Sequence, residues 1–383
     1  MNALLIKNAD VFAPEPLGVQ DILCCEGRIS KIGAINAEDV RIVFEKVQVI
    51  DAQGAKIIPG LVDGHVHIGG GGGEGGFAYR VPPVQVSTLV SAGITTLVGL
   101  LGTDGFCRRL EETLGKARAL TEEGLSAALF TGAYQFPGPS LTGDQARDIM
   151  LIPEVIGIKV ALSDHRSSHM TVQDLRALIS SARVAGLLTG KAGLVCIHMG
   201  DEPAGLTPLM EAFEGTGIPL CHALPTHVGR NERLTEQAAH WTKKGGYVDF
   251  TAGPEAWKAL QRFLQKGGDL THITLSSDGN GSMPQFDQEG KLKRMGVGSP
   301  ASLLTTLKAC IDHCVTSFES LLPALTSAPA QLLGLKNKGR LLVGYDADMV
   351  ILDDKLKVRH LWAKGEGFVS DGQVIRGGTY EHF

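Results

Sequence analysis

The sequence predicts an α/β protein that combines a (β/α)8 TIM barrel with a small β-sandwich domain built from both chain termini. In the middle of the chain, apolar runs of about four to eight residues alternate with helical patterns, as strands buried on both faces of a parallel sheet require. At both ends, short strand-like segments separated by Gly turns predict hairpins instead. With 383 residues, the chain is long enough for one large barrel and an attached domain.

The terminal segments are predicted to form the strands of the small domain. Residues 3–12, 21–35 and 41–52 are strand-like, with a turn at Glu26 and Gly27. Residues 339–354 and 358–381 show the same pattern near the other end. We therefore expect the two ends to meet. The predicted division places residues 1–55 and 340–383 in the β-sandwich domain and residues 56–339 in the barrel.

Eight central runs are predicted to be the barrel strands. In chain order they are residues 57–67, 95–102, 126–134, 155–162, 193–200, 220–228, 247–253 and 273–279. Helix start signals lie between and after them, such as Thr171 with Asp174 and Thr316 with Glu319. Two final helices, 300–313 and 317–325, would close the barrel. In such a barrel, functional side chains belong at the C-terminal ends of the strands.

Metal-ligand side chains occupy several of these strand ends. The first run ends in His65 and His67, and alternation along a strand points both imidazoles to the same face. The fifth run ends in His198, the sixth in His227 and the eighth in Asp278. Imidazoles and carboxylates gathered at one end of a barrel predict a metal centre.

Lys159 lies in the middle of the fourth run, VIGIKVAL, where its ammonium would be buried in the barrel wall. Burial of an unpaired charge costs several kcal/mol, so the amine must be paired or neutral. One solution is a structural ion pair. The other is carbamylation by carbon dioxide, which turns an amine of lowered pKa into a carboxylate able to bridge two cations. Beside a metal cluster, carbamylation is favoured.

Composition excludes several other classes of function. A net charge of -5 and a pI near 6.2 leave no basic footprint, which argues against nucleic acid as a partner. The chain has neither a basic leader nor an apolar run of about 18 residues, so we expect no membrane partner and a cytoplasmic location. Seven cysteines without a regular framework predict free thiols in a reducing cytosol.

Together these features resemble the amidohydrolase superfamily over almost the whole chain. Within it, the sequence is most similar to the isoaspartyl dipeptidases, zinc enzymes that cleave β-aspartyl peptide bonds. The similarity rests on Tyr134 and on five stretches: GGGGEGG (70–76), LLGTDG (100–105), SDHRSS (163–168), THVGRN (226–231) and SSDGNGS (276–282). One departure is Gly229, where that family would carry Asn before the arginine.

The resemblance implies a binuclear zinc hydrolase in which a metal-bridging hydroxide attacks the amide. Asp278 would act as general base and then as general acid, and Tyr134 would stabilise the oxyanion. The implied ligands are His65 and His67 for one ion, His198 and His227 for the other, Asp278 on the first, and carbamylated Lys159 as a bridge. These ligand types also suit cobalt, manganese or iron, so the metal identity stays open.

The predicted substrate is a small dipeptide whose charges need matching partners. An isoaspartyl dipeptide presents one α-ammonium and two carboxylates around the scissile amide. Glu74, Arg166 and Arg230 would bind these groups, and Thr103 and Ser282 would add hydrogen bonds. The sequence leaves open which arginine meets which carboxylate. Because Glu74 lies among glycines, it is predicted to be an exposed and movable contact.

Two alternatives remain from the sequence alone. A cyclic amidase of the dihydroorotase or hydantoinase type would share every metal ligand and differ only in its loops, and the Glu74 loop argues against it. A non-catalytic scaffold would keep the fold but lose ligands, whereas none is lost here. The resemblance also implies a homo-oligomer, up to an octamer.

Overall fold

The computed structural model describes residues 2–287, 289 and 291–382. Its strands, in chain order, are β1 (Asn2–Phe12), β2 (Pro16–Cys25), β3 (Arg28–Gly33), β4 (Lys46–Asp51), β5 (Lys56–Pro59), β6 (Leu61–Val66), β7 (Ile94–Gly99), β8 (Ser126–Gly132), β9 (Val155–Leu162), β10 (Leu194–Met199), β11 (Ala223–Thr226), β12 (Val248–Thr251), β13 (Ile273–Ser276), β14 (Ser282–Phe286), β15 (Leu292–Val297), β16 (Met349–Leu352), β17 (Val358–Ala363), β18 (Glu366–Ser370) and β19 (Gln373–Val374).

The helices begin and end as follows: α1 (Ala37–Val43), α2 (Val86–Ser91), α3 (Leu110–Glu122), α4 (Gln145–Leu151), α5 (Val172–Thr189), α6 (Thr207–Phe213), α7 (Glu232–Lys243), α8 (Ala256–Gln265), α9 (Ser302–Asp312), α10 (Phe318–Leu321) and α11 (Ser327–Leu332). Short 3₁₀ helices lie at Phe77–Tyr79, Leu220–His222, Leu270–His272 and Leu322–Leu325. Among the residues described, no helix is long and apolar enough to cross a bilayer.

Strands from both ends of the chain join one nine-stranded sheet, so the two termini meet as predicted. Its order is β19-β18-β17-β16-β5-β1-β2-β3, and β4 pairs in parallel with β1. Alternation along β1 sends Leu4 and Ile6 to one apolar cluster and Ala3 and Leu5 to another, so both faces of the sheet are covered. That this sheet folds into a sandwich stays a prediction.

The chain passes from this sheet into the barrel at Gly60. Pro59 still pairs with Met349 of β16, whereas Leu61 already pairs with Ile94 of β7. A Cβ atom at residue 60 would collide with the side chain of Thr95, so only glycine fits this crossing point. The chain therefore leaves the terminal sheet and enters the barrel sheet at Gly60, a few residues after residue 56, where the barrel was predicted to start. The domain boundaries themselves stay predictions.

Each of the eight central runs contains a strand, as predicted. Strands β6 to β11 form a parallel sheet in sequence order, and β12 pairs in parallel with β13. Backbone contacts join these two parts. The Val228 N–H donates to Asp249 O at 3.3 Å, and the His67 N–H donates to Gly279 O at 2.8 Å. The series of parallel strands therefore closes on itself, since its last strand lies next to its first. This brings the C-terminal ends of the strands together around one cavity.

The helix start signals gave one correct and one wrong assignment. Thr171 and Asp174 form the predicted capping box at the start of α5. At α10, however, the capping side chain is that of Ser317, which accepts from the Ser320 N–H, and not that of Thr316. Serine and threonine are both good N-cap residues, so the adjacent pair left the start ambiguous by one position.

Two elements differ from the sequence prediction. Residues 41–52 were expected to be a strand, but the first of them belong to α1, which Asn36 caps by accepting from the Glu38 N–H. Ile42 and Val43 gave that stretch its apolar character, yet they are 83% and 72% exposed. The antiparallel hairpin of β14 and β15 was not predicted at all. The predicted free thiols are confirmed, since all seven cysteines are described and unpaired.

Candidate active site

The predicted metal ligands meet at the C-terminal ends of the barrel strands. His65 lies in β6 with His67 just beyond it, Lys159 lies inside β9, and His198 lies in β10. His227 and Asp278 follow the ends of β11 and β13. His227 and Asp278 have φ angles of 64° and 50°, in the left-handed region of backbone conformation that residues other than Gly rarely adopt. Such strained backbone is common at functional sites.

Three of these side chains form a ready metal-binding group. His67 Nε2 lies 3.1 Å and His65 Nε2 lies 3.6 Å from Asp278 Oδ1. That oxygen is buried and accepts no hydrogen bond within the described part of the chain. A buried anionic oxygen without a donor is costly unless a cation neutralises it. The three residues therefore fit a divalent metal ion.

His227 and His198 lie beside this group and are differently connected. The ring centroid of His227 is 5.1 Å from that of His65 and 4.5 Å from that of His198. His227 Nδ1 contacts Thr251 Oγ1 at 2.5 Å, which leaves Nε2 for a ligand. Both nitrogens of His198 have partners, so metal binding there requires one of these contacts to be replaced.

The partners of His198 are Asp164 and Tyr134. Its Nε2 lies 3.0 Å from Asp164 Oδ2, and its Nδ1 lies 2.6 Å from Tyr134 Oη. Arg166 Nη2, which can only donate, also lies 3.3 Å from Nε2, so the tautomer of His198 depends on whether Nε2 donates to Asp164 or accepts from Arg166. Burial lowers the pKa values of His65, His198 and His227 well below their usual range. The imidazoles are therefore neutral, which is the form that binds metals.

Lys159 is 1% exposed and close to the same group. Its Nζ lies 3.5 Å from His65 Nε2 and 3.8 Å from Cys196 Sγ. Within the described residues, no carboxylate lies within ion-pair distance of it, which argues against a structural ion pair. Burial lowers the pKa of Lys159. A lower pKa increases the fraction of neutral amine, the form that reacts with carbon dioxide.

Glu74 lies at the centre of a second group, made from four segments of the chain: its own loop, the loops that carry Thr103 and Arg166, and the start of β14 at Ser282. Its Oε1 accepts from Thr103 Oγ1 at 2.9 Å and from Ser282 Oγ at 2.8 Å, and Arg166 Nη1 is 3.4 Å away. The other oxygen, Oε2, is buried and has no partner among the described residues. The Glu74 side chain is only 6% exposed. The prediction of an exposed, movable contact is therefore wrong, because the hydroxyls of Thr103 and Ser282, from two distant segments of the chain, hold the carboxylate in place.

Arg166 connects the two groups. It donates to Asp164 through Nε at 2.9 Å and through Nη2 at 2.8 Å, which is the bidentate geometry of a strong charge pair. Although burial alone raises the pKa of Asp164, hydrogen bonds from Arg166 and His198 hold it well below its usual range. Asp164 is therefore ionised and fixes both a candidate metal ligand and a candidate substrate ligand.

Arg230 is the least enclosed of the predicted residues. Its side chain is 30% exposed, and Nη1 lies 3.6 Å from Asp201 Oδ2, whose side chain is 68% exposed. An ion pair this exposed to solvent contributes little to stability, so the Arg230 guanidinium remains available to bind a ligand. Arg230 lines the same cavity of about 640 Å³ as Tyr134, Arg166 and Asp278. Every predicted site residue thus lies in or beside one cavity, while the role of each stays a prediction.

Sequence reasoning missed several residues of this site. Asp164 stands two positions before Arg166 in SDHRSS, and this spacing was the only signal for it. Thr251, at the end of the seventh strand, gave a weaker signal through its position alone. Nothing in the sequence indicated that Phe250 and Ala259 line the wall of the cavity.

Comparison with known proteins agrees with this geometry. A family profile described as the amidohydrolase family matches residues 57–377. The crystal structure of a β-aspartyl dipeptidase from Fervidobacterium islandicum AW-1, in complex with β-Asp-Leu dipeptide, is 37% identical and has a TM-score of 0.92; the match covers 99% of this chain and 100% of that one. A D-hydantoinase structure, 16% identical with a TM-score of 0.69, covers 99% of this chain and 97% of its own, and shares the fold.

Among curated relatives, a dihydroorotase from Lactobacillus gasseri is 26% identical, and the match covers 98% of this chain and 96% of that protein. An N-acetylglucosamine-6-phosphate deacetylase from Bos taurus is 38% identical over 45% of this chain and 48% of its own length.

Proposed function

This chain belongs to the amidohydrolase family of metal-dependent hydrolases, and from that premise we propose that it hydrolyses the β-aspartyl (isoaspartyl) peptide bond of dipeptides. The observation that carries the proposal is the Glu74 carboxylate. It is buried beside the candidate metal ligands, and Oε2 has no partner in the part of the chain that the structure describes. A buried anion of this kind calls for a cation, and the free α-ammonium of an isoaspartyl substrate supplies one.

The neighbour of Glu74 supports the same substrate. Arg166 Nη1 lies 3.4 Å from Glu74 Oε1, so an anion and a guanidinium stand side by side in the cavity. An aspartyl residue joined through its side chain carries its ammonium and α-carboxylate on one carbon atom and can satisfy both at once. Arg230 supplies a second cation for the second carboxylate of the dipeptide.

The proposed metal centre uses this chain's own ligands. His65, His67 and Asp278 would hold one divalent cation, and His198 and His227 a second, with carbamylated Lys159 between them. Zinc suits this set of imidazole and carboxylate ligands. When bound, such ions polarise the scissile carbonyl and lower the pKa of a water molecule.

Asp278 and Tyr134 would assist the chemical step. Oδ1 of Asp278, which accepts no hydrogen bond among the described residues, would take the proton of the attacking water and then deliver it to the leaving amine. Burial raises the pKa of Tyr134, so its hydroxyl stays protonated and can donate to the oxygen that becomes negative. Its present hydrogen-bond partner is His198 Nδ1, which lines the cavity.

A cyclic amidase of the dihydroorotase or hydantoinase type is the second candidate, favoured by the dihydroorotase relative that spans nearly the whole chain. Its cyclic substrates carry no ammonium and would leave Glu74 Oε2 buried without a partner. A non-catalytic scaffold is less consistent still, because all the predicted ligands are present.

We also propose that the enzyme acts in the cytoplasm as a homo-oligomer, up to an octamer. Val184, Leu187 and Leu188 of α5 are each more than half exposed, and contact with another copy would bury them. Light scattering of the purified protein measures the number of copies.

The experiment that tests the proposed function changes Glu74 and the substrate together. Glu74→Gln should lower kcat/KM on β-Asp-Leu by roughly tenfold to a few hundredfold, the range expected for losing a charged hydrogen bond of about 1.5 to 3 kcal/mol. Metal content should not change. Succinyl-leucine lacks the ammonium. For the wild type it should be a much poorer substrate than β-Asp-Leu, whereas for Glu74→Gln it should be only slightly poorer than β-Asp-Leu. Equal losses for both enzymes would show that Glu74 does not bind the ammonium.

A further inference from the structure

The loop that carries Glu74 is folded tightly against itself. We call residues 69–81 the glycine loop. The Val81 N–H donates to Gly71 O at 2.9 Å, and Gly72 and Arg80 form an isolated antiparallel bridge. A Cβ atom at Gly70 would collide with the carbonyl of Val81, so the two arms of the loop are in backbone contact. The glycines here permit close packing and do not serve only to make the chain flexible.

The Arg108 guanidinium lies at the base of this loop and binds both arms. It donates to Gly69 O and, at 3.4 Å, to Gly71 O on the first arm, and to Val81 O at 2.7 Å on the second. The residue is only 9% exposed. Within the described ranges, no carboxylate lies within ion-pair distance of it. Its charge is therefore satisfied mainly by loop carbonyls, and an arginine presents several donors in the fixed fork that three carbonyls require.

The turn that carries Arg108 is itself fixed and makes two further contacts with the loop. Asp104 accepts from the Phe106 and Cys107 N–H groups at 3.1 and 2.8 Å, which closes the turn. Its other oxygen accepts from Arg80 Nη2 at 3.2 Å. Thr103, in the same turn, donates to Glu74. The turn and the glycine loop therefore form one unit that ends at the Glu74 carboxylate.

We propose that Arg108 is a positioning residue for substrate recognition: by clamping both arms of the glycine loop, it holds the Glu74 carboxylate against Thr103 and Ser282, which line the cavity, ready for a cationic group. The consequence for catalysis rests on the proposed function, whereas the clamp itself does not. Arg108 also lines the cavity, but the loop carbonyls engage its guanidinium, so its effect on substrate would pass through the loop. Its loss should therefore weaken recognition of the ammonium and leave the metal centre intact.

The test compares Arg108→Met and Arg108→Lys with Arg109→Met, which removes the neighbouring, exposed arginine. Hydrogen exchange by mass spectrometry on the metal-loaded protein follows the amides of residues 69–81, with residues 194–199 as an internal reference. We expect loop exchange at least about tenfold faster in Arg108→Met, a smaller increase in Arg108→Lys, and no change in Arg109→Met.

Kinetics with β-Asp-Leu provides the second measurement. Arg108→Met should raise KM about tenfold and change kcat by less than about threefold, and the preference for β-Asp-Leu over succinyl-leucine should fall. A raised KM with unchanged loop exchange would mean that Arg108 binds substrate directly, which overturns the proposal. Unchanged exchange and unchanged KM would also overturn it. If the wild type does not hydrolyse β-Asp-Leu, the proposed function fails, but loop exchange still decides whether Arg108 is a clamp.

Discussion

Asp164 accepts both a bidentate pair of hydrogen bonds from Arg166, at 2.9 and 2.8 Å, and a contact from His198 Nε2 at 3.0 Å. One carboxylate, 2% exposed, thus orients a candidate metal ligand and a candidate substrate ligand. Residues of this kind are needed because a ligand that can rotate binds metal or substrate less well.

Asp164→Asn should therefore impair both functions. The amide has no charge and can accept at only one atom, so kcat/KM should fall by about 10- to 100-fold, with a partial loss of metal on dialysis. Steady-state kinetics and elemental analysis measure the two effects. Asp354→Asn, which changes an exposed aspartate far from the cavity, is the matched control. Normal metal content and kinetics in Asp164→Asn would show that His198 and Arg166 are held by other contacts.

Lys159→Ala tests the bridging carboxylate. The wild type should contain about two metal ions per chain, because six side chains of ligand type converge. The variant should retain less metal and lose at least about a hundredfold in activity, since losing a ligand exceeds the 10- to 100-fold effect of losing an outer partner. Short carboxylic acids should restore part of the activity. The exposed Lys355 provides the control Lys355→Ala. Full activity of Lys159→Ala without added acid would rule out a bridging role.

Asp21 offers a test of stability that is independent of the active site. It accepts from Lys7 Nζ at 2.6 Å and from the N–H groups of Ile35 and Asn8 at 2.9 and 3.0 Å. Burial alone raises its pKa, but the hydrogen bond from Lys7 and those from the backbone lower it overall. A carboxyl group whose pKa is lower in the folded state stabilises the fold above its unfolded pKa and loses that effect as pH falls through the folded value.

Asp21→Asn should therefore lower the free energy of unfolding by about 1 to 3 kcal/mol at pH 7. The deficit should shrink as pH falls below about 4, because Asp21 of the unfolded chain then binds a proton while folded Asp21, with its lowered pKa, still resists protonation. Urea denaturation at several pH values measures it, with Glu26→Gln as the exposed control. A deficit of the same size at pH 7 and pH 3 would mean that the charge of Asp21 does not contribute.

The sequence was sufficient to predict the barrel strands and the metal-ligand side chains at their ends because these depend on local patterns. Continuous apolar runs marked the parallel strands, and the alternation of a strand placed His65 and His67 on one face. Contacts between distant segments left no such pattern. The buried position of Glu74 depends on Thr103 and Ser282, which are remote in sequence. No spacing rule predicts such a contact.

Another contact of this type joins the C-terminal tail to the barrel. Glu381 accepts from the N–H groups of Val86 and Ser87 at 2.7 and 2.9 Å, and so caps α2 from a position 295 residues away in sequence. The N-cap residue of that helix, Gln85, makes no capping hydrogen bond with its own side chain. A local search for N-cap residues could not have found this cap. The wrong prediction of a strand at α1 had a different cause. Ile42 and Val43 are apolar, as strand residues often are, although they are exposed on a helix.

Hydrolysis of β-Asp-Leu, compared with that of α-Asp-Leu and dihydroorotate under the same conditions with zinc, distinguishes an isoaspartyl dipeptidase from a cyclic amidase. The proposed roles of Glu74 and Arg166 call for an ammonium and a carboxylate on one carbon atom, separated by a methylene group from the carbonyl of the cleaved amide. Of the three compounds, only β-Asp-Leu presents both. We predict hydrolysis of β-Asp-Leu, with kcat/KM on the other two compounds lower by at least about a hundredfold. Hydrolysis of dihydroorotate without hydrolysis of β-Asp-Leu would contradict the account and assign the site to a cyclic amidase.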